Sequence, residues 1–406
     1  MIPAGDAISA RYVRLAFDFE KRFGGVVDSA FGPARRIGGS AGRARCEREL
    51  QRECEDLLAE AVASTALRGA RRDFIAAQLQ ALLDRAKRCG EEELSLSEEA
   101  KARFDVEPHW IDAAFFADQA AIVKDCLPRT GTAPVDALRA FRAKAEIAPP
   151  VRGRVIAQAV SFLGAEAQAR LDLVSAGTIR LRRRAAAPWR AYHRYEGNLA
   201  SVLQVSDLQP LDPAAILHLL SHELFPGHHT ELACKDVALV QARGWTEHAL
   251  TLLQTPACVV SEGLAECGLT LVHDRSALIG WCGERLAETG LDPGEAEARI
   301  AIEDACQQLR YVAGNLALML DARASDAEAA AYACETALLD REGAYRLLGF
   351  VRSARAHVFS YFEGSRLVRA FLDGLPDRVA GFRKLLFEPF TPALLREATA
   401  REALHA

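Results

Sequence analysis

The 406-residue sequence lacks most features that mark membrane, secreted and nucleic-acid-binding proteins. No stretch approaches the ~20 uncharged apolar residues of a membrane-spanning helix, and the first residues show no apolar core of a secretory signal. The net charge is −5, with both signs mixed along the chain. We therefore expect no dedicated binding of nucleic acid or of a membrane surface. The basic run Arg180–Arg184 is interpreted as a solvated face.

A CxxC pair is also lacking, although the sequence contains 10 cysteines. Several of them lie in apolar, helix-like patterns, which is typical of buried free thiols rather than of disulfides. Together with the lack of an export signal, these thiols predict a cytoplasmic protein.

Aromatic residues make up 7% of the chain and runs of β-branched residues are short, so an extensive β-sheet is not expected. Alanine, leucine, arginine and glutamate dominate instead, and apolar residues recur at helical spacing. The pattern predicts a mainly α, multihelical fold. Helix starts are expected at Asp212, at Asp292 and at the capping box Ser325–Glu328. One segment, near residues 170–184, alternates apolar residues and predicts at most a small β-hairpin or edge strand.

The domain organisation has few markers, because no internal repeat and no low-complexity linker is present. The stretch Glu146–Arg154 is the best candidate boundary. It would separate an N-terminal helical region, residues 1–150, from a metal-binding catalytic region, residues 151–406, within one integrated domain. Nothing in the sequence predicts an oligomeric state.

The stretch HELFPGHH, His222–His229, concentrates residues that can bind a metal ion. His222 and His228 are six residues apart, which a regular helix would place ~120° out of alignment. Pro226 and Gly227 could resolve this, since proline interrupts helical hydrogen bonding and glycine adopts otherwise strained dihedrals. A bulge at this pair would return His228 to the position of the second histidine in an H-E-x-x-H zinc helix. The same pair is also typical of an ordinary helix end.

A second pair of candidate ligands lies on the same helix. His218 and His222 are four residues apart and need no bulge, but Glu223 then follows the second histidine, where it is less suited to act as a base. A third ligand is expected from the apolar segment VVSEGLAECGLTLV. Its two carboxylates, Glu262 and Glu266, lie four apart on one helix face and would be costly to bury without a cation.

Several segments resemble a known family. SHELFPGHHTELACKD is similar to the HExxPGHH signature of a bacterial metallopeptidase-like family called domain of unknown function 885. SEGLAECG and ARAHVFSYFEGSRLV resemble two later segments of that family, and the similarity runs from about residue 12 to residue 370. The resemblance implies a gluzincin-like fold around a deep cleft, a single zinc ion and hydrolysis of peptide bonds. It implies His222, His228 and Glu262 as metal ligands and Glu223 as the general base.

Further roles are expected from the residues around this signature. Tyr361 could donate a hydrogen bond to the oxyanion, and His357, which replaces a glutamine of the family, could donate or carry a proton. Arg310 would pair with a carboxylate of the protein or of the substrate, and His229 would donate to Glu231.

The expected function is a zinc-dependent hydrolase, a peptidase or amidase acting on a small peptide or a small-molecule amide. The substrate-facing residues differ from those of the family, so a second hypothesis is a non-hydrolytic enzyme that uses zinc or iron on a small metabolite. Two histidines and one carboxylate suit either metal. A catalytically silent binding protein is the third hypothesis, and it is the one least compatible with an intact His-Glu pair.

Overall fold

The computed structural model describes residues 4–39, 45–87, 94–185, 187, 189–208 and 210–403, and over these residues the chain is mainly α-helical, as predicted. The helices of the first part of the chain are α1 (Ala4–Phe23), α2 (Gly32–Gly38), α3 (Glu47–Ala63), α4 (Gly69–Lys87), α5 (Leu96–Glu99), α6 (Ala113–Cys126), α7 (Pro134–Lys144) and α8 (Pro149–Arg170). Those of the second part are α9 (Pro213–Glu223), α10 (His228–Lys235), α11 (Pro256–Val272), α12 (Arg275–Glu288), α13 (Ala296–Leu309), α14 (Val312–Asp321), α15 (Asp326–Ala337), α16 (Arg341–Ala354), α17 (Phe359–Asp373), α18 (Arg378–Phe387) and α19 (Pro392–Ala403). Short 3₁₀ or π segments are Ala100–Phe104, Asp236–Gln241, Thr246–Ala249, Pro293–Glu295 and Arg355–Val358.

The predicted helix starts have the expected caps. The side chain of Asp212 accepts a hydrogen bond from the backbone N–H of Ala215, 2.9 Å away, with Pro213 as the first residue of α9. Ser325 and Glu328 form the reciprocal capping box at the start of α15. Asp292 caps a 3₁₀ turn rather than a full helix, and α13 continues directly from that turn.

Five short strands form two small sheets: β1 (Val27–Ala30), β2 (Thr178–Arg184), β3 (Ala191–Gly197), β4 (Ala200–Ser206) and β5 (Leu250–Leu252). β1 and β5 pair antiparallel, and the other three form a sheet in the order β2-β4-β3. The predicted segment thus contains an edge strand, which confirms one of the two expected arrangements, and it contains no hairpin of its own. β2 pairs in parallel with β4, a strand that begins 16 residues after β2 ends, and such a partner leaves no local sequence signal.

The hairpin of this sheet lies later in the chain, between β3 and β4. Asn198 and Leu199 join the two strands and both have positive φ, 54° and 59°. Turns with positive φ at both central residues match the twist of antiparallel strands, and asparagine is favoured in them. The basic run of β2 is exposed to solvent, as predicted.

The buried apolar side chains form two clusters. One joins α1, α3 and α4 to β1, β5 and Tyr195 of β3. The other extends from Leu96 to Leu395 and includes residues of α7 and α8 together with α9, α11 and α17. The division into residues 1–150 and 151–406 stays a prediction.

Helix α11 contacts α4, α9, α10, α17 and α18, so it lies among the elements that carry the candidate site. Its Val259 and Leu264 are fully buried. Two glycines of α11 permit close contacts: a side chain on Gly263 would meet the carbonyl oxygen of Gly364 of α17 at 2.3 Å, and one on Gly268 would meet Pro226 at 2.6 Å. The position of α11 against α17 and the α9–α10 connection is thus set by backbone contact.

Two further findings concern the chain as a whole. None of the helices described here has both the length and the apolar composition that crossing a lipid bilayer requires. The nine described cysteines all carry free thiols, whereas Cys89 lies outside the described residues.

Candidate metal centre and cleft

The helix that begins at Asp212 ends at Glu223, and a new helix begins at His228. The connection is held by the backbone N–H of Gly227, which donates to the carbonyl oxygen of Ser221 at 2.9 Å. A side chain on Gly227 would approach the carbonyl oxygen of His222 to 1.9 Å, so glycine is required by close packing of the backbone. The break brings the imidazole rings of His222 and His228 to 4.8 Å between centroids, at an angle of 86°.

Glu262 of α11 completes a group of three side chains that could hold a metal ion. Its Oε2 lies 3.4 Å from Nε2 of His222, and its Oε1 lies 3.8 Å from Nε2 of His228. One donor atom from each of the three residues lies within 4.8 Å of the other two. Two imidazoles and one carboxylate are the protein ligands of many catalytic zinc sites, which leave a further position open.

The second nitrogen of each imidazole faces a polar group that orients the ring. Nδ1 of His222 lies 3.5 Å from Oε1 of Glu266, whose other oxygen accepts a hydrogen bond from the Tyr311 hydroxyl at 3.1 Å. Nδ1 of His228 lies 3.2 Å from the hydroxyl of Ser261. Histidines that bind metals commonly donate their other N–H in this way, which leaves Nε2 free for the ion. Glu266 thus contacts a candidate ligand rather than joining the group of three.

Ser261 links His228 to a buried ion pair, Glu231 and Lys235. Its hydroxyl donates to Oε2 of Glu231, so it can accept the Nδ1 proton of His228. Glu231 is also paired with Lys235 within α10. Burial raises the pKa of Glu231, but Lys235 outweighs this and holds it below its usual range. Ser261 was not expected from the sequence, where a serine beside a glutamate gives no specific signal.

The charges around the group of three favour a cation between them. Burial raises the pKa of Glu262, but the nearby imidazoles of His228 and His222 lower it to about 2. Burial lowers the pKa of His222, but Glu262, Glu266 and Glu223 outweigh this and raise it to about 9. Oε2 of Glu262 is buried and accepts no hydrogen bond of ordinary geometry from a described residue. A buried carboxylate oxygen of this kind is costly without a positive charge beside it. A proton on His222 or a metal ion that replaces this proton supplies the charge, so these residues fit a metal ion.

The group borders a cleft of about 1140 Å³. His222, Glu223, Glu266, Tyr361 and Arg310 all line it. Glu223 is half-buried and directly follows the candidate ligand His222 in the sequence. A carboxylate so placed can exchange protons with a molecule bound in the cleft.

His357 and Tyr361, which were both expected at the cleft, lie in different places. The ring of His357 lies 5.7 Å from that of Tyr361, as expected for side chains one turn apart, but only Tyr361 of this pair lines the cleft. His357 instead lies with Cys258 beside Glu262, with its Nδ1 4.0 Å from the Cys258 sulfur. Burial lowers the pKa of His357, which keeps its ring neutral, and raises the pKa of Tyr361 well above its usual value.

The predicted interaction of His229 was wrong, and the alternative ligand His218 has another partner. His229 does not donate to Glu231: its Nε2 lies 2.9 Å from the carbonyl oxygen of Ala176, and its Nδ1 lies 2.7 Å from the hydroxyl of Ser201. Both partners lie outside α10, so the local sequence of α10 could not predict them. His218 faces Asp304, with Nε2 2.8 Å from Oδ1, and among the described residues it does not join the group that includes His222.

The sequence interpretation also missed two residues near the group. Asp28 of β1 interacts electrostatically with His228, Glu262 and Glu223, and burial raises the pKa of its carboxyl. The hydroxyl of Tyr192 lies 3.2 Å from Oδ1 of Asp28, to which it can donate a hydrogen bond. Asp28 is about 200 residues from the metal-binding motif in sequence, so only the folded chain could place it there.

Comparison with known proteins identifies a shared fold. No protein-family model and no curated protein matches the chain. A crystal structure described as that of a "putative lipoprotein" from Colwellia psychrerythraea is 12% identical, with a TM-score of 0.54 over 88% of this chain and 67% of that one. A second structure is described as that of a "putative lipoprotein of unknown function" from Shewanella oneidensis. It is 13% identical, with a TM-score of 0.51 over 87% of this chain and 71% of that one. At such identities the likeness concerns the fold alone.

Proposed function

We propose that the protein is a zinc-dependent hydrolase that cleaves an amide bond in a small peptide or a small-molecule amide. The convergence of His222, His228 and Glu262 supports this proposal, because two imidazoles and a carboxylate meet beside a cleft that also contains Glu223. The likeness of the HELFPGHH stretch to the HExxPGHH signature supports it further. We also propose that the chain is a divergent relative of that metallopeptidase-like family.

Each residue then has a distinct role. His222, His228 and Glu262 would hold the ion, and zinc at such donors lowers the pKa of water to about 7 and polarises a carbonyl group. Glu223 accepts the proton of the water that attacks the amide carbonyl and delivers it to the leaving nitrogen. The Tyr361 hydroxyl donates a hydrogen bond to the oxyanion that develops on the carbonyl oxygen.

The first experiment is metal analysis by mass spectrometry on purified protein and on matched variants. We expect one equivalent of zinc in the unsubstituted protein and its loss in His228→Ala. His218→Ala serves as the control, since His218 is held by Asp304 outside the group, and it should keep its zinc. Unchanged metal content in His228→Ala, or loss in His218→Ala, would refute this site.

The second experiment measures release of a free amine from acylated amines and short peptides. Glu223→Gln keeps a side chain of similar shape but cannot accept a proton. We expect it to retain zinc and to lose activity by about 10²–10⁴-fold. Zinc-loaded protein that releases no amine from any such compound would contradict hydrolysis, even if the metal site were correct.

Iron(II) is the second candidate, because two histidines and one carboxylate with open positions are also typical of iron oxygenases. The same metal analysis would detect it. Iron in the purified protein, oxygen uptake in the presence of small metabolites and no release of amine would support the non-hydrolytic alternative.

We propose a cytoplasmic location, since the described cysteines are free thiols, which persist in a reducing compartment. The two similar structures are each described as that of a "putative lipoprotein". Detection of the native protein in the membrane fraction after cell lysis, rather than in the cytosolic fraction, would contradict this location.

A further inference from the structure

The cleft beside the candidate metal centre is lined by five arginines: Arg190, Arg275, Arg310, Arg346 and Arg369. Two of these have close carboxylate partners. Arg275 lies 2.8 Å from Asp304, and Arg346 is paired with Glu342 on its own helix. Arg190, Arg310 and Arg369 lack such a partner within hydrogen-bond distance among the described residues, and Nε of Arg369 donates to the hydroxyl of Ser365 at 3.1 Å.

Arg310 is held in place by a neutral side chain. Its Nη1 donates to Oε1 of Gln307 at 2.7 Å, and Nε2 of Gln307 donates to Oε1 of Glu303 at 2.8 Å. The amide group orients the guanidinium at the end of α13 without neutralising its charge. Arg310 itself is exposed on the cleft wall.

Arg190, just before β3, has only a distant carboxylate. Its Nη1 lies 4.0 Å from Oε1 of Glu303, which is longer than a hydrogen bond. Glu303 is buried and already paired with Arg142. Burial raises the pKa of Glu303, but Arg142 and Arg190 outweigh this effect and lower the pKa to about 2. One carboxylate is thus shared by two arginines and by Gln307. The side chain of Arg190 remains 34% exposed, at the cleft.

Arg190 and Arg310 both lie near Glu303, Arg190 directly and Arg310 through Gln307, and their like charges repel. Burial lowers the pKa of Arg190, Glu303 raises it, and Arg310 and Arg142 lower it further. Two like charges on one cleft wall are stabilised by an anion placed between them. Guanidinium groups bind planar carboxylates through parallel hydrogen bonds, which a single lysine cannot provide.

We propose that Arg190 and Arg310 together bind a carboxylate of the substrate, so that the protein acts on small amides or peptides that carry a free carboxylate. This inference rests on the proposed function for the choice of substrate class. It assigns Arg310 to the substrate rather than to a carboxylate of the protein, and it adds Arg190, which the sequence alone did not suggest.

The test measures binding by calorimetry on the full-length protein carrying Glu223→Gln, which prevents turnover of the probe. The probes are N-acetyl-alanyl-alanine with a free carboxylate and the same compound as its C-terminal amide. We expect the acid to bind at least about tenfold more tightly than the amide. Adding Arg190→Gln or Arg310→Gln should each remove most of this preference.

Arg346→Gln is the matched control, since Arg346 lines the same cleft but is paired with Glu342. It should leave the preference for the acid unchanged. Thermal denaturation, monitored by circular dichroism, shows whether each variant is folded. If Arg190→Gln is unfolded, the result for Arg310→Gln alone decides, since Arg310 is exposed. Equal binding of acid and amide, binding of neither, or a preference that survives both substitutions overturns the proposal.

The proposed function is tested separately, by measuring the amine that the unsubstituted protein releases from acylated amines and short peptides. A preference for the acid that depends on both arginines, without any hydrolysis, would retain the carboxylate site and refute the hydrolase. Hydrolysis with no such preference would retain the hydrolase and refute the carboxylate site.

Discussion

Replacing Gly364 by alanine tests whether the close contact between α11 and α17 holds the candidate metal ligands in position. A side-chain carbon on Gly364 would lie 2.2 Å from the carbonyl oxygen of Val259 and 2.9 Å from the backbone nitrogen of Gly263. Ordinary contacts of this kind begin near 3.4 Å. The clashing atoms all belong to the backbone, so no rotation of a side chain relieves them. The two helices would have to separate by about 1 Å.

This separation has two measurable consequences. Overpacking of a well-packed core destabilises a protein by about 1–3 kcal/mol, and we expect a decrease of that size in the free energy of unfolding. Gly263 is the residue after Glu262, so the candidate ligand shifts with the helix. Metal sites tolerate changes in ligand distance of only about 0.2 Å, and loss of supporting contacts typically weakens metal affinity about 10–100-fold.

The assay combines urea denaturation with competitive zinc titration. Gly349→Ala is the matched control, because Gly349 is also helical but a side chain there meets nothing within 4 Å. That control should stabilise the helix by about 0.5–1 kcal/mol and leave zinc affinity unchanged. If Gly364→Ala were as stable as the control and bound zinc equally well, the contact between α11 and α17 would not be what positions the site.

Three further outcomes are expected. Gly227→Ala should unfold the α9–α10 connection and abolish metal binding, since its side chain would lie 1.9 Å from the carbonyl oxygen of His222; a folded variant with normal zinc content would contradict this. Ser261→Ala should weaken zinc affinity about 10-fold with little change in stability, because it removes the link between His228 and Glu231; unchanged affinity in the titration would exclude that role. Removal of zinc by a chelator should lower the melting temperature, because an ion that binds the folded chain stabilises it, and equal melting of the two forms would argue against a metal in this group.

Much of the helical architecture could be predicted because its signals are local. A cap such as Asp212 or Ser325 acts on a backbone N–H group about three residues away, so sequence and structure are linked over one helical turn. The same holds for the break after Glu223. Proline and glycine at positions 226 and 227 indicate an interruption, and the steric contact that requires glycine involves residues only five and six positions earlier.

The partners of polar side chains could not be predicted in this way. The pattern of α11 alone offered Glu262 and Glu266 as candidate ligands one turn apart, and the resemblance to the metallopeptidase-like family favoured Glu262. In the folded chain, Glu262 faces Nε2 of both His222 and His228, whereas Glu266 faces Nδ1 of His222. Their difference arises from the angle at which α11 packs against the α9–α10 connection, which no pattern within α11 determines.

The sequence by itself determined the helical fold and the residues able to bind a metal, because helix propensity, caps and ligand chemistry belong to individual residues and their near neighbours. Tertiary structure alone decided the parallel pairing of β2 with β4, the electrostatic interaction of Asp28 with the candidate metal ligands and that of Arg190 with Arg310. These contacts join segments far apart in the chain. They form because burial of apolar surface brings the segments together, and that depends on the packing of the whole chain.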